Sequence, residues 1–339
     1  MKSWRIFSTP RGKGLFWIGL TLLTLAVSVL SLGLGSVTLG PGEVLRALLS
    51  GDAASTAGRI LHFVRLPRLC AALLAGSALA VSGTVIQTVL HNPLASPGVI
   101  GVNSSAGLAV ALVCAVAPSA QAFSPLAAFL GALAGVGLVV GIAQSTGASR
   151  MTLVLAGVAV SNLLSAGIDA VVTLAPEALT GVTDFRIGGF TGVTMEALAP
   201  AAGMILPGIG AVLLLSREMD ILSLGEELAR SLGLRVRLIR FVLLMLAALL
   251  AGAAVSFAGL LGFVGLIVPH VVRMLTGTDH KHLVAVSALS GSVFLVWADV
   301  LCRVILPRTE LPIGILISLI GAPCFVYLMV KRTYGFGGN

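Results

Sequence analysis

Four polar side chains recur at helical spacing inside an otherwise apolar segment of the chain. Asn162, Ser165, Asp169 and Thr173 are separated by three or four residues, which places them on one face of a helix. An acidic residue at membrane depth is costly, so this pattern indicates an ion or substrate pathway. The alternative is that these groups form interhelical hydrogen bonds that hold a helix bundle together. The sequence leaves both interpretations open.

Other groups that could do chemistry lack the spacing that catalysis or metal binding requires. They are the cysteines and three of the histidines: Cys70, Cys114, Cys302, Cys324, His270, His280 and His282. The cysteines lie in apolar segments without paired spacing, which is typical of packing residues. The chain contains no G-x-x-x-x-G-K-[ST] motif, so any ATP hydrolysis must occur on another chain. We therefore expect a protein that is not an enzyme and has no cofactor, no metal site and no nucleic-acid partner.

The composition identifies the environment in which these residues must be positioned. Of the 339 residues, 57% are hydrophobic and 10% are charged, whereas about 25% of the residues in a soluble domain are charged. A helix needs roughly 20 apolar residues to cross a bilayer. Ten stretches meet this description approximately: 15–35, 69–90, 98–118, 123–144, 151–175, 196–215, 241–258, 260–275, 283–306 and 311–330. The sequence thus predicts an all-α polytopic membrane protein with about ten transmembrane helices.

The third and eighth predicted spans are interrupted by Gly and Pro residues, which are tolerated only where protein or a water-filled cavity satisfies the freed backbone groups. The first apolar run is too long for a cleaved secretory signal, so we interpret it as a retained span. A cytoplasmic start then places most Lys and Arg residues on the cytoplasmic side, as the positive-inside rule expects. We therefore predict a multi-pass protein of the cell membrane, in contact with lipid, with both termini cytoplasmic.

One sequence feature occurs twice. The hexapeptide AALLAG at 71–76 returns at 247–252, and the same offset relates several helix-breaking residues. These pairs are Gly83 with Gly259, Pro93 with Pro269, and Gly101 with Gly277. The two copies fall in the second and seventh spans, which run in opposite directions. The sequence therefore predicts an inverted repeat within a single transmembrane domain, 1–339, with a first half at 15–215, a cytoplasmic loop at 216–240 and the end of the second half at 241–331.

The polar loop between the sixth and seventh spans contains the pattern of a short helix over 223–233. Its features are a capping-box spacing, an apolar stripe, an i,i+4 ion pair and a terminal glycine. The residues concerned are Ser223, Leu224, Gly225, Glu226, Leu228, Arg230, Leu232 and Gly233. Such a helix either lies on the membrane surface or inserts into a groove on a cytoplasmic protein.

Charged residues also occur at the predicted outer ends of two spans. Arg65 and Arg68 lie one turn apart, a pattern typical of side chains that extend to the membrane surface. Asp299 and Arg303, at i,i+4, are expected to form an internal ion pair with a structural role.

Several motifs together resemble the permease subunits of ATP-binding-cassette (ABC) importers for iron-siderophores, haem and cobalamin. They include the R-L-P-R of 65–68, A-L-A-x-S-G-x-x-x-Q at 78–87 and N-P-L-A-x-P-G-x-x-G at 92–101. Further matches are L-A-G-V-A at 155–159, the S-L-G of the loop helix, F-V-G-L-I-V-P-H-x-x-R at 263–273, G-x-D-H at 277–280, L-P-x-G at 311–314 and G-A-P-x-F at 321–325. The resemblance covers nearly the whole chain.

The resemblance implies a dimer with a second permease copy or a paralogue, two ATPase subunits and an extracytoplasmic substrate-binding protein. It implies that 223–233 is the coupling helix that enters the ATPase, and that Arg65, Arg68 and Arg303 receive acidic residues of the binding protein. Asn92 and Leu94, with the 149–152 loop that includes Thr152, would lie near the cytoplasmic gate. The alternative function is an ion- or proton-coupled secondary transporter, for which the inverted repeat and Asp169 would serve equally well.

Overall fold

The computed structural model describes residues 10–35, 37–50, 55–146, 150–306 and 309–331, and throughout these ranges the regular structure is helical. The α-helices are α1 (Pro10–Gly33), α2 (Pro41–Ser50), α3 (Thr56–Ile60), α4 (Leu66–Val89), α5 (Val102–Val116), α6 (Ser124–Ser145), α7 (Arg150–Leu174), α8 (Leu179–Ile187), α9 (Met195–Leu214), α10 (Ser216–Ser223), α11 (Glu226–Ser231), α12 (Val236–Ala258), α13 (Val264–Thr276), α14 (His280–Val304) and α15 (Ile313–Lys331). A π-helical turn, Leu61–Arg65, joins α3 to α4 without a break. The all-α fold predicted from the sequence is confirmed.

Seven helical segments in the described chain are long and apolar enough to cross a membrane, and three shorter apolar helices accompany them. The short ones are Val102–Val116, Val264–Thr276 and Ile313–Tyr327. Together these segments correspond to the ten predicted spans. Two of the short helices are the third and eighth spans, whose interruptions the sequence predicted. Gly101, in the left-handed region with φ +86°, precedes α5, and Pro269 lies inside α13.

Helix α4 forms the centre of the bundle and is buried along almost its whole length. Its small residues allow other backbones to approach closely. A Cβ atom on Gly76 would lie 2.2 Å from the carbonyl oxygen of Gly291 in α14. A Cβ atom on Gly83 would lie 1.8 Å from the carbonyl oxygen of Gly265 in α13. Glycine at these positions is therefore a packing requirement.

The two copies of the hexapeptide lie in α4 and α12, and these helices pack against each other. The Ser82 hydroxyl of α4 donates a 2.7 Å hydrogen bond to the Ala247 carbonyl of α12. Arg68, near the start of α4, lines the same cavity as Phe257, near the end of α12. The two helices therefore run in opposite directions, as an inverted repeat requires.

The register of the repeat is only partly preserved in the structure. Gly101 and Gly277 both have a positive φ, +86° and +83°. Gly101 ends the short helix 97–100 before α5, and Gly277 ends α13 before α14. Gly83, however, lies inside α4, whereas Gly259 follows the end of α12. The paired prolines are not equivalent either, because one lies in a loop and the other inside α13. A single sequence offset therefore does not relate the two halves.

Candidate coupling and translocation sites

The segment between α9 and α12 contains two short helices rather than the single helix predicted over 223–233. Ser223 is the last residue of α10, and its hydroxyl donates to the carbonyl of Asp220 at 2.6 Å. Gly225, with φ +109°, makes the break before α11. The predicted capping box at Ser223 is therefore wrong, because the glycine occupies the N-cap position of α11 and no side chain caps it.

Two other predicted features of this segment are confirmed, the ion pair within α11 and the glycine that follows it. Leu224, Leu228 and Leu232 are 57%, 58% and 61% exposed on the outside of the chain, and we call them the leucine stripe, although the break at Gly225 separates Leu224 from the helix that carries Leu228. Arg230 Nη2 lies 2.6 Å from Glu226 Oε1. Gly233, with φ +83°, follows the end of α11. We call the segment 216–233 the coupling segment.

Glu226 ties α11 to the following membrane helix. Its second carboxylate oxygen accepts a 3.1 Å hydrogen bond from Arg240 Nη2 of α12. Burial alone would raise the pKa of this carboxyl group. The hydrogen bond and charge of Arg240, followed by the charges of Arg230 and Arg150, outweigh burial, so the pKa of Glu226 is lowered below its usual value. Glu226 is therefore ionised at neutral pH, and α11 is held against α12 by a charged pair.

A second connection joins the coupling segment to the core of the bundle. Asp220 Oδ1 accepts a hydrogen bond from the backbone N–H of His280 at 3.0 Å and lies 2.6 Å from its Nδ1. His280 Nε2 is 2.9 Å from the hydroxyl of Thr88, and His280 is fully buried. The three residues thus link α10 to the first residue of α14 and the last turn of α4. Sequence reasoning missed this contact, because His280 and its partners are distant in the chain.

The loop after α4, residues 90–96, carries the predicted gate residues, and we call it the gate loop. Asn92 is exposed, and its side-chain oxygen accepts a 2.9 Å hydrogen bond from the N–H of Leu94, which is half-buried. Just before this loop, the last turn of α4 meets the coupling segment through Thr88, His280 and Asp220. Burial lowers the pKa of His91 and the positive charge of Arg150 lowers it further, although its hydrogen bonds to backbone groups oppose the change.

The start of α7 completes this region. Helix α7 packs closely against residues 97–100, which follow the gate loop, since a Cβ atom on its Gly157 would meet the carbonyl oxygen of Val99. Thr152 is half-buried in the first turn of α7, whereas residues 147–149 lie outside the described residues. The gate loop, α7 and the coupling segment therefore meet at one end of the bundle.

The polar stripe of α7 faces away from the core of its own chain. Asn162, Asp169 and Thr173 are exposed and Ser165 is half-buried. Asp169 Oδ1 lies 3.5 Å from Arg186 Nη2 of α8, and both side chains are at least half exposed. The stripe thus lies mostly on the outside of its own chain, and Asp169 joins α7 to α8 through Arg186. Polar groups on a membrane-facing surface require either water or another protein chain.

Three arginines at the opposite end of the bundle form a buried network. Arg65, Arg68 and Arg303 are only 4%, 5% and 6% exposed. Arg68 lies 2.6 Å from Asp299 and 2.6 Å from Glu310. The predicted pair between Arg303 and Asp299 is confirmed at 2.9 Å. Arg65 donates to the backbone carbonyls of residues 32 and 37.

The interpretation of Arg65 and Arg68 as side chains that extend freely to the membrane surface is therefore wrong. Their partners, contributed by α1, α14 and the segment before α15, could not be read from local sequence. The network fastens α1, α4 and α14 together at this end of the bundle. Docking of a binding protein on these arginines stays a prediction, and it would require an acidic group to reach side chains that already have internal partners.

A cavity of about 530 Å³ opens beside this network. Its lining includes Arg68 and Glu310 together with three aromatic side chains, Phe185, Phe190 and Phe257. Sequence reasoning did not identify this cavity, because its lining comes from four separate parts of the chain.

A helical bundle with a polar stripe on one membrane helix, a cavity at one end and an exposed coupling segment at the other defines a multi-pass membrane transport subunit. The FecCD transport family model matches residues 23–331, and the chain belongs to this family. The Fe(3+)-citrate import system permease protein YfmE of Bacillus subtilis is 36% identical over 311 residues, which are 91% of this chain and 93% of that protein. The cobalamin import system permease protein BtuC of Halobacterium salinarum is 40% identical over 315 residues, 92% and 84% of the two chains.

A solved structure gives the same result at the level of the fold. A metal-chelate type ABC transporter in an inward-facing conformation superposes with a TM-score of 0.81 at 32% identity, and the match covers 93% of this chain and 98% of that one.

Proposed function

We propose that this chain is the permease subunit of a binding-protein-dependent ABC importer for an iron chelate, haem or cobalamin. Relatives along nearly its whole length are import permeases for Fe(3+)-citrate and for cobalamin. The chain would form the translocation path with a second permease copy or a paralogue. Two ATPase subunits would bind on the cytoplasmic side and a substrate-binding protein outside. Both termini would be cytoplasmic.

The observation that carries this proposal is the exposed leucine stripe of the coupling segment. Three leucine side chains that are more than half exposed on one short polar segment favour burial in a partner. The segment itself is held firmly, because Glu226 pairs with Arg240 of α12. Because the coupling segment is fixed to α12, a partner that binds it can move the membrane helices. A loosely attached surface helix could not transmit such a movement.

The path of that movement follows from the contacts of the coupling segment. The Asp220–His280–Thr88 link reaches α14 and the last turn of α4, which leads directly into the gate loop. ATP binding and hydrolysis in the partner would shift α10 and α11, and these links would move the cytoplasmic ends of α4 and α14 with them. In this mechanism nucleotide biases an equilibrium between outward- and inward-open states.

The translocation path is proposed to lie along α7. Its exposed polar stripe supplies the water-compatible surface that a large chelate needs, and a second permease copy would close the other side. The cavity beside Arg68 and Phe185 would receive substrate from the binding protein. The alternative, an ion- or proton-coupled secondary transporter, would use Asp169 as the coupling group. That carboxylate lies beside Arg186, and the alternative gives no role to the leucine stripe.

Replacement of Leu228 with aspartate tests the proposal. The expected result is loss of the ATPase subunits from the purified complex, or ATP hydrolysis without uptake, in a bundle that still inserts correctly. An interface anchor contributes at least about 2 kcal/mol to binding, so the partner affinity should fall at least about 30-fold. Leu228→Met should retain assembly, and Glu227→Gln on the same helix controls for a change of charge. Full assembly and normal transport by Leu228→Asp would make the segment a membrane-surface element.

A further inference from the structure

The start of α12 contains a groove that adjoins the coupling segment, with Arg230 of α11 in its lining. It has a volume of about 590 Å³ and lies between Gln144 near the end of α6 and the first turns of α12. We call it the arginine groove and define it by Gln144, Arg230, Arg235, Arg237, Leu238 and Phe241. A smaller cavity of about 210 Å³ shares four of these residues and extends the groove inward to Leu153 and Leu244.

The groove carries an excess of positive charge. Arg230 and Arg240 share the carboxylate of Glu226, at 2.6 Å and 3.1 Å. Within the described part of the chain, no carboxylate lies within ion-pair distance of Arg235 or Arg237, and both residues are exposed. Two guanidinium groups are therefore free to bind an anion in the fork geometry that suits phosphate oxygens.

The other side of the groove is apolar and continues along membrane helices. Leu238 and Phe241 of α12 are 51% and 41% exposed. On the facing helix α6, Val140 and Ala143 line the inward extension of the groove. Phe241 follows Arg237 by one turn, so the apolar surface begins about 6 Å along the helix axis from the charged group.

We infer that the arginine groove binds the head group of an anionic phospholipid, with Arg235 and Arg237 on the phosphate and an acyl chain along Leu238 and Phe241. Because the charged and apolar parts of the groove lie within one helical turn of each other, the ligand must carry a negative charge next to an apolar tail. It must also reach the level at which a membrane helix leaves the bilayer. A phospholipid meets both requirements. An acidic protein surface would meet only the first, and it would leave the membrane-facing side of the groove unexplained.

The experiment uses the purified importer complex in mild detergent and measures retained lipid by native mass spectrometry during titration with phosphatidylglycerol or phosphatidylcholine. The double variant Arg235→Gln/Arg237→Gln should weaken one phosphatidylglycerol site about 25-fold, since each basic residue near an anionic head group contributes about fivefold. Phosphatidylcholine, whose choline group offsets the phosphate charge, should bind there more weakly than phosphatidylglycerol. Arg235→Lys/Arg237→Lys retains the charges without the fork geometry and should restore part of the affinity, which separates lost binding from a folding defect.

A second double variant, Lys281→Gln/Arg46→Gln, removes two exposed charges outside the groove and should leave the site unchanged. Equal weakening by both double variants would mean a general effect of net charge and would overturn the inference. Unchanged phosphatidylglycerol binding with loss of the ATPase subunits would also overturn it, since the groove would then be a protein contact. The lipid measurement does not depend on transport, so it can fail while the proposed function stands.

Discussion

The link between Asp220 and His280 gives a sharp test of how the coupling segment acts on the membrane helices. Asp220→Ala removes the carboxylate that accepts from both the backbone N–H and Nδ1 of His280. A hydrogen bond to a charged group contributes about 1.5–3 kcal/mol. The Asp220 side chain is 43% exposed, so solvent screening places the contribution near the lower value. A loss of about 1.5 kcal/mol changes an equilibrium about tenfold.

We therefore expect the amount of substrate transported per ATP hydrolysed to fall about tenfold in Asp220→Ala. The measurement is uptake and hydrolysis in proteoliposomes that contain the permease, its ATPase subunits and the binding protein. The ATPase subunits should remain bound, because the leucine stripe is intact. Asp220→Asn retains a side-chain oxygen and should recover part of the coupling.

Asp279→Ala is the matched control. Asp279 also pairs with a histidine, its oxygen lying 3.0 Å from Nδ1 of His282, and it caps the same helix, but its contacts stay within α14. Loss of such a cap costs about 1 kcal/mol, so the two variants impose similar stability penalties. If the control uncouples the importer as strongly, or if Asp220→Ala leaves the transport ratio unchanged, the reasoning about the link is wrong.

Three further predictions concern the bundle and the path. With the native cysteines removed, Ser165→Cys should react with a water-soluble thiol reagent in at least one nucleotide state. Ile168→Cys, buried on the same helix, should be protected. Protection of both cysteines would place the stripe at a dry interface. Gly83→Ala should lower bundle stability by at least about 1–3 kcal/mol, because its methyl group meets the α13 backbone. Gly137→Ala, inside α6 with nothing within 4 Å, should leave the thermal unfolding midpoint unchanged or raise it slightly, because alanine favours a helix over glycine. Arg68→Gln should destabilise the bundle by about 3–5 kcal/mol, since it leaves a buried carboxylate short of a partner; normal stability with lost docking would instead support a role in binding-protein recognition.

The sequence determined the properties that depend on neighbouring residues. Hydropathy averaged over about 20 residues located the membrane helices, because crossing a bilayer is a requirement on each segment separately. The pair between Glu226 and Arg230 and the pair between Asp299 and Arg303 followed from i,i+4 spacing within one helix. The exposed leucine stripe was predicted on the same grounds.

The tertiary structure alone decided how the remaining charged groups are used. Arg68 is buried because Asp299 and Glu310, more than 200 positions away in the chain, lie beside it. His280 is likewise placed between Asp220 and Thr88 by the packing of three separate helices. A charged or polar side chain is buried only where distant partners satisfy it. The sequence supplies the side chains, but the packing of the helices decides which of them meet.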